Sequence, residues 1–216
     1  MASFKLCAST IRLSRQSVRY LREAIQKPKE EFGELMVSSD TIRKGYYTLE
    51  LQRNVKQAKR GRRSTFRNSS SGSQHVTITT PHPVHYSYHT HPLKAYKEQG
   101  VRWGWPSSSD FQSLNRMKGV IVHLVVTREG IYFVVKYSRN RSVPKKFIFE
   151  NFTHPLRNTK MTPEEVVNRV NRVRYQRKPV FNVTLVKWTN AWRRDVYIQY
   201  TSTNQDGCKL KRHNPT

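Results

Sequence analysis

Two apolar runs set back to back constrain this chain most. Residues 119–127, with Val122-His-Leu-Val-Val126 at their centre, and residues 131–137, starting Ile131-Tyr-Phe-Val-Val135, meet at Arg128-Glu129-Gly130. They read as a β-hairpin. Upstream, Phe32 to Val37 and Tyr46 to Leu51 read as strands, the second alternating Tyr47, Leu49, Leu51. The first helix is expected from a cap at Ser9 or Thr10 to a stop before Pro28. Its apolar stripe of Ile11, Val18, Leu21 and Ile25 runs beside Arg12, Arg15, Arg19 and Arg22. His75 to Thr80 and Val84 to Thr90 read as strands around Pro81 and Pro83, and Ser109 to Met117 as a short helix. Lys146 to Glu150 reads as a short strand. Thr162-Pro163-Glu164-Glu165 is a capped helix start, with the helix expected to reach about Tyr175. Phe181 to Trp188 and Asp195 to Thr201 are expected to close the chain as a strand pair, so that the C-terminal part spans 162–201. This order predicts one α+β domain over 1–216, with a mixed, curved sheet flanked by helices.

Charge narrows the setting. Among 216 residues, 40 Lys and Arg face 14 Asp and Glu, a formal net charge of +26. Such an excess repels itself in a compact state unless polyanions or acidic partners offset it. It points to nucleic acid, an anionic membrane surface or an acidic protein shell. The basic stretch 53–75 carries Lys56, Lys59, Arg60, Arg62, Arg63 and Arg67 and ends in Asn68-Ser-Ser-Ser-Gly-Ser-Gln74. It reads as a long surface loop whose cations can pair with phosphates, or as a solvated loop without a partner.

Cys7 and Cys208 make no disulfide framework and no cysteine-type zinc knuckle. The expected location is a reducing compartment, cytoplasm or nucleus, or the interior of a virion. No apolar run approaches the roughly 18 residues of a membrane span, and the first residues lack the apolar core of a secretory signal. The arginine-rich, acid-free start also suits a mitochondrial presequence, which leaves a matrix hydrolase as a third reading beside a domain helix.

The chemistry sits in Tyr88-His89-Thr90-His91-Pro92, followed by Pro106-Ser107-Ser108-Ser109-Asp110. On a strand, residues i and i+2 face the same side, so His89 and His91 project together. Asp110, near the start of the next helix, adds a carboxylate oxygen. Two imidazoles, one carboxylate and an open position describe a catalytic zinc site, whereas a structural site would be closed by a fourth protein ligand. His82 and His85 read as surface or packing residues, with a second metal as the alternative. His75, His123, His154 and His213 stand alone. Trp188 and Trp192 read as core or interface residues. Gly100-Val-Arg-Trp-Gly104 lacks the Lys-Ser/Thr ending of a phosphate loop.

The order Glu30-Glu-Phe-Gly33, His89-Thr-His-Pro92, Ser107-Ser-Ser-Asp110 resembles the motif of the JAMM zinc metallopeptidases, also called MPN+ or JAB-domain proteins. The hairpin that follows suits the same family, and the resemblance covers roughly residues 9–137. It implies a JAB/MPN-like fold with cytidine-deaminase-like layering and one zinc ion held by His89, His91 and Asp110. It implies Glu30 as general base and proton carrier. Ser107 would donate to the oxyanion, a contact whose loss costs about 2.7–4 kcal/mol. The implied activity is a deubiquitinase-like isopeptidase acting on ubiquitin or ubiquitin-like conjugates. Two positions depart from the pattern. The stretch 92–106, with Trp103 and Trp105, is longer than usual and reads either as a surface insertion or as a lid over the zinc. Glu34 stands where an apolar residue is usual, which makes Glu31 a rival of Glu30. The alternative reading, from another class, is a very basic structural or packaging protein, a capsid or virion component, that reuses the fold to bind nucleic acid or an acidic shell.

Overall fold

The structure, a computed structural model, describes residues 10–37, 47–51, 67–68, 74–75, 85–117, 120–136, 143–153, 160–188 and 196–199. The chain enters the fold as a strand, β1 (Thr10–Leu13), and only then turns into helix α1 (Arg15–Ala24). The cap is therefore Ser14, whose Oγ accepts from the Ser17 amide at 3.2 Å, and not Ser9 or Thr10. The expected stripe is real but shared between two elements. Ile11 points inward from β1, and Val18, Leu21 and Ile25 from α1 and its end. Ten residues make a marginal helix in isolation. Burial of three large apolar side chains, worth about 1.5–3 kcal/mol each, holds this one.

Strands β2 (Phe32–Val37) and β3 (Tyr47–Leu51) follow as expected. In the basic stretch, β4 (Arg67–Asn68) and β5 (Gln74–His75) form a small antiparallel pair. Lys56, Lys59, Arg60, Arg62, Arg63 and His82 lie outside the described residues, as do Cys7, Cys208 and Trp192. Then come β6 (His85–Thr90), α2 (Leu93–Gln99), α3 (Ser108–Arg116), β7 (Val120–Val126) and β8 (Gly130–Lys136). The expected strand at 146–150 is helical instead: α4 (Lys145–Ile148) runs into a wider helical turn over Phe149–Thr153. Ile148 and Phe152, one turn apart, are buried, while Phe149 between them is exposed. That is a helical period, and it overrides the local β preference of Phe147-Ile-Phe149.

Helix α5 (Pro163–Arg172) starts in the expected capping box but stops short of Tyr175, because Arg174 and Tyr175 form β9 (Arg174–Tyr175), paired with β10 (Lys178–Pro179). The last strands, β11 (Phe181–Lys187) and β12 (Val196–Gln199), do not pair with each other. They close opposite edges of one eight-stranded sheet, ordered β11-β8-β7-β6-β2-β3-β1-β12. β11 runs antiparallel to β8, and β12 antiparallel to β1. The sheet is mixed, with parallel pairs at β6–β7 and β1–β3.

Helices cover both faces, which is why β7 and β8 are apolar without alternation. On one face Val122, Leu124, Val126, Ile131, Phe133 and Val135 pack with α1 residues Val18 and Leu21. On the other, Val125, Tyr132 and Val134 pack with Phe111 of α3, Ile148 of α4 and Val166 of α5. Two polar side chains finish this second face. The Lys136 amine is buried and donates to the carbonyls of Asn115 and Met117 at the end of α3, at 2.8 and 3.1 Å. On the outer strand β11, the Asn171 amide meets Val183 like a strand neighbour, accepting from its N–H at 2.6 Å and donating to its carbonyl at 2.9 Å. Among the described residues, no helix is long and apolar enough to cross a membrane.

One backbone contact fixes the β2–β6 pair. Gly33 lies opposite Tyr88, and a Cβ on Gly33 would sit 2.3 Å from the Tyr88 ring. Gly33→Ala is expected to destabilise the fold by about 1–3 kcal/mol through overpacking, read from urea unfolding. Unchanged stability would show that the ring can retreat.

Candidate metal centre

The site forms where β6 ends, in the middle of the sheet and not on an edge strand. Strand parity sends Tyr86 and Tyr88 to the α1 face and Ser87 and His89 to the α3 face. His91, one residue past the strand, keeps the same side. Its amide donates to the Val126 carbonyl at 2.8 Å, which continues the ladder with β7.

Asp110 arrives from the first turn of α3. Ser107 caps this helix, and Ser107 and Asp110 form a reciprocal capping box. The Ser107 amide donates to Asp110 Oδ2 at 2.6 Å, and its hydroxyl reaches the same oxygen at 2.8 Å. The Ser-x-x-Asp spacing therefore has a plain physical meaning: it stops the carboxylate from swinging away. The Ser107 hydroxyl also lies 2.6 Å from Ser109 Oγ.

The three expected ligands converge. His89 Nε2 lies 2.9 Å from His91 Nε2 and 3.4 Å from Asp110 Oδ1, and His91 Nε2 lies 3.7 Å from Asp110 Oδ2. Ligand atoms about 2.05 Å from a tetrahedral zinc stand roughly 3.3 Å apart, and one ligand atom from each of the three residues lies within 4.8 Å of the others, close enough to share an ion after small adjustments. Among the described residues, these three form a group able to hold a metal ion. Their side chains are 4%, 15% and 17% exposed for His89, His91 and Asp110, so the cluster opens toward solvent on the His91 and Asp110 side.

Each imidazole is held from behind. His91 Nδ1 lies 2.8 Å from the Gly104 carbonyl. A carbonyl only accepts, so the proton belongs on Nδ1 and the lone pair of Nε2 faces the cluster. The stretch 92–106 fits the surface-insertion reading, exposed over 97–102 with Trp103 and Trp105 half-buried. It forms α2, turns through Gly100 in the left-handed region, and returns to set Gly104 behind His91. Glu129 pins that return, accepting from the Gly104 amide at 2.8 Å and from the Tyr132 hydroxyl at 2.9 Å. Gly104 has no room for a side chain, since its Cβ would fall 1.8 Å from the Tyr96 hydroxyl oxygen. His89 is held on a face and on an edge. Phe32 stacks on it at 5.5 Å between ring centroids, and His123 meets its edge nearly in plane, His89 Nδ1 lying 2.6 Å from His123 Nε2. His123 does not stand alone, as its isolation in sequence suggested, but contacts a candidate ligand directly.

The β2–β6 register separates the two glutamates. Phe32 lies opposite His89, so parity puts Glu30 on the His91 side and Glu31 on the α1 side. Glu31 is occupied there, bonded to the Tyr20 hydroxyl and the Lys27 amine and 3.3 Å from the Tyr88 hydroxyl. Burial works against its charge, but these donors outweigh it and hold the carboxyl below its usual range. Glu30 is half-buried, and its charge is felt at His91. Glu34, the departure from the family pattern, lies opposite Ser87, farther along β2.

Burial pushes His91 toward the neutral form, but its contact with Asp110, the Asp110 and Glu30 charges and the Gly104 carbonyl reverse this and raise its pKa. Burial likewise opposes the Asp110 charge. The charge that the neighbouring His89 and His91 imidazoles carry when protonated outweighs this and holds the carboxyl well below its ordinary range. His123 is driven down to about 3, first by burial and then by the charge of His89, so it stays neutral.

No family model matches the chain, and no solved structure matches it. A stretch of 50 residues is 40% identical to "Uncharacterized protein 3R" of Frog virus 3 (isolate Goorha). That stretch is 23% of this chain and 11% of the viral protein, so the similarity spans about a tenth of that relative's length.

A metal ion at this cluster would compete with protons for His91. Zinc affinity, measured by chelator competition across pH, is expected to start falling above pH 6.5 as pH is lowered through the raised His91 value. Asp110, already ionised, adds no inflection above its ordinary 3.8. Gly104→Ala should weaken zinc binding by about 10–100-fold, because the carbonyl behind His91 is displaced.

Proposed function

We propose that this chain is a zinc-dependent isopeptidase of the JAMM type, hydrolysing the bond between a ubiquitin-like C-terminus and a lysine. The observation that carries the reading is the convergence of His89, His91 and Asp110 with one side open, beside a half-buried Glu30 that the strand register assigns to the same face. The layering suits the same reading, with α1 on one face of a mixed sheet and α3, α4 and α5 on the other.

A zinc ion held there supplies Lewis acidity for the scissile carbonyl and brings the pKa of water to about 7. The chain's own residues do the rest. Glu30 takes the proton of the attacking water on a carboxylate oxygen and delivers it to the lysine amine as the C–N bond breaks. The Ser107 hydroxyl, turned from Asp110 toward the carbonyl oxygen, donates to the developing oxyanion. Its amide keeps hold of Asp110 while it does so. The Gly104 carbonyl keeps the His91 imidazole aimed at the ion.

The test uses the zinc-loaded full chain and lysine-linked di-ubiquitin. Glu30→Gln should lose about 10²–10⁴ in kcat with zinc content unchanged, and His89→Ala should lose the zinc. A zinc-loaded chain that leaves every lysine linkage intact removes the isopeptidase reading and leaves a metal centre.

A second reading rests on the charge of +26. It takes the chain as a packaging protein that binds nucleic acid or an acidic shell, with the basic stretch 53–75 as the contact. Deleting that stretch should lower nucleic-acid retention across a salt series. Retention that does not change counts against it.

A further inference from the structure

Behind the ligand His89 lies a row of polar groups that the isopeptidase reading does not use. His123 comes from β7 and Ser87 from β6, directly opposite each other in the parallel ladder. His89 Nδ1 lies 2.6 Å from His123 Nε2, and His123 Nδ1 lies 2.8 Å from Ser87 Oγ. All three side chains are buried, at 3%, 8% and 2% exposure. Every ring nitrogen in the row therefore has a partner, and the row ends on the one group that can both donate and accept, a hydroxyl.

We infer that His123 is a positioning residue that sets the proton arrangement of His89 for metal binding, with Ser87 closing the row. The inference rests on the metal reading of the cluster. A metal takes the lone pair of His89 Nε2, so the single proton of neutral His89 must sit on Nδ1. That N–H then donates to bare His123 Nε2, and His123 carries its own proton on Nδ1, donated to Ser87 Oγ. In the metal-free chain the row runs the other way. His89 Nε2–H donates to His91 Nε2, 2.9 Å away, His123 Nε2–H donates to His89 Nδ1, and the Ser87 hydroxyl donates to His123 Nδ1. Each imidazole keeps one proton in both arrangements. Metal entry therefore inverts the row without leaving a buried N–H unpaired, an omission that would cost most at a site this enclosed.

The direct measurement needs no variant. In zinc-loaded full chain with ¹⁵N-labelled histidine, NMR should find His123 protonated on Nδ1 and bare on Nε2. The opposite tautomer overturns the inference. Zinc competition titrations supply a second readout. His123→Phe, which leaves the His89 N–H facing carbon, should weaken zinc binding by about 10–100-fold, and His123→Gln, whose carbonyl can accept, should stay within about fivefold of the parent. A purely structural histidine predicts no such rescue. Equal affinity in the parent and His123→Phe, with His89→Ala binding none, overturns the inference alone. A parent chain that binds no zinc overturns the metal reading and the inference with it.

Discussion

The antiparallel pairing of β2 with β6, Phe32 opposite His89, is the constraint on which the rest of the site depends. Side chains alternate along a strand, so a slip of one residue would exchange every partner across the pair. Glu31 would then face the imidazoles, and Glu30 would face Tyr20 and Lys27. The observed register is held from both faces of the sheet. Phe32 stacks on His89 on one side, and Tyr88 lies against Gly33 on the other. The Glu31 amide also donates to Thr90 Oγ1 at 2.9 Å, just where the strand ends.

The remaining parts converge on the same few atoms by different physical means. Asp110 is steadied by the rules of a helix start, because its carboxylate serves as the far half of a cap. His91 is steadied by a peptide carbonyl whose own residue hangs from Glu129. His89 is steadied by Phe32 stacked on its face and by His123 of the neighbouring strand at its edge. None of these supports is itself a ligand, yet each limits the freedom of one. A cluster built this way would have less reorganisation to complete on taking up an ion.

How much could be read beforehand follows from the range of the forces involved. The 120–136 hairpin, the paired histidines and the Thr162 capping box depend on neighbours a few residues away, so local spacing displays them, whereas the Ser107–Asp110 box was read only as part of a motif. Spacing alone did not tell Glu30 from Glu31, and the β2–β6 register is what separates them physically. His123 was illegible, since its partner Ser87 lies 36 residues off and meets it only through a parallel register. The closing strands misled for a related reason. Thr10 to Leu13 read as the first turn of a helix, so the edge that takes β12 was hidden. Residues 146–150 misled because three adjacent bulky residues favour a strand locally, while burial of Ile148 and Phe152 selects a helix.

Asn171 has a consequence beyond the domain itself. A sheet's outer strand offers bare amides and carbonyls to any passing chain, and such edges invite stacking between molecules. By occupying both backbone groups of Val183, a single side-chain amide interrupts that template near the middle of β11. A strand added along β11 would first have to displace that amide.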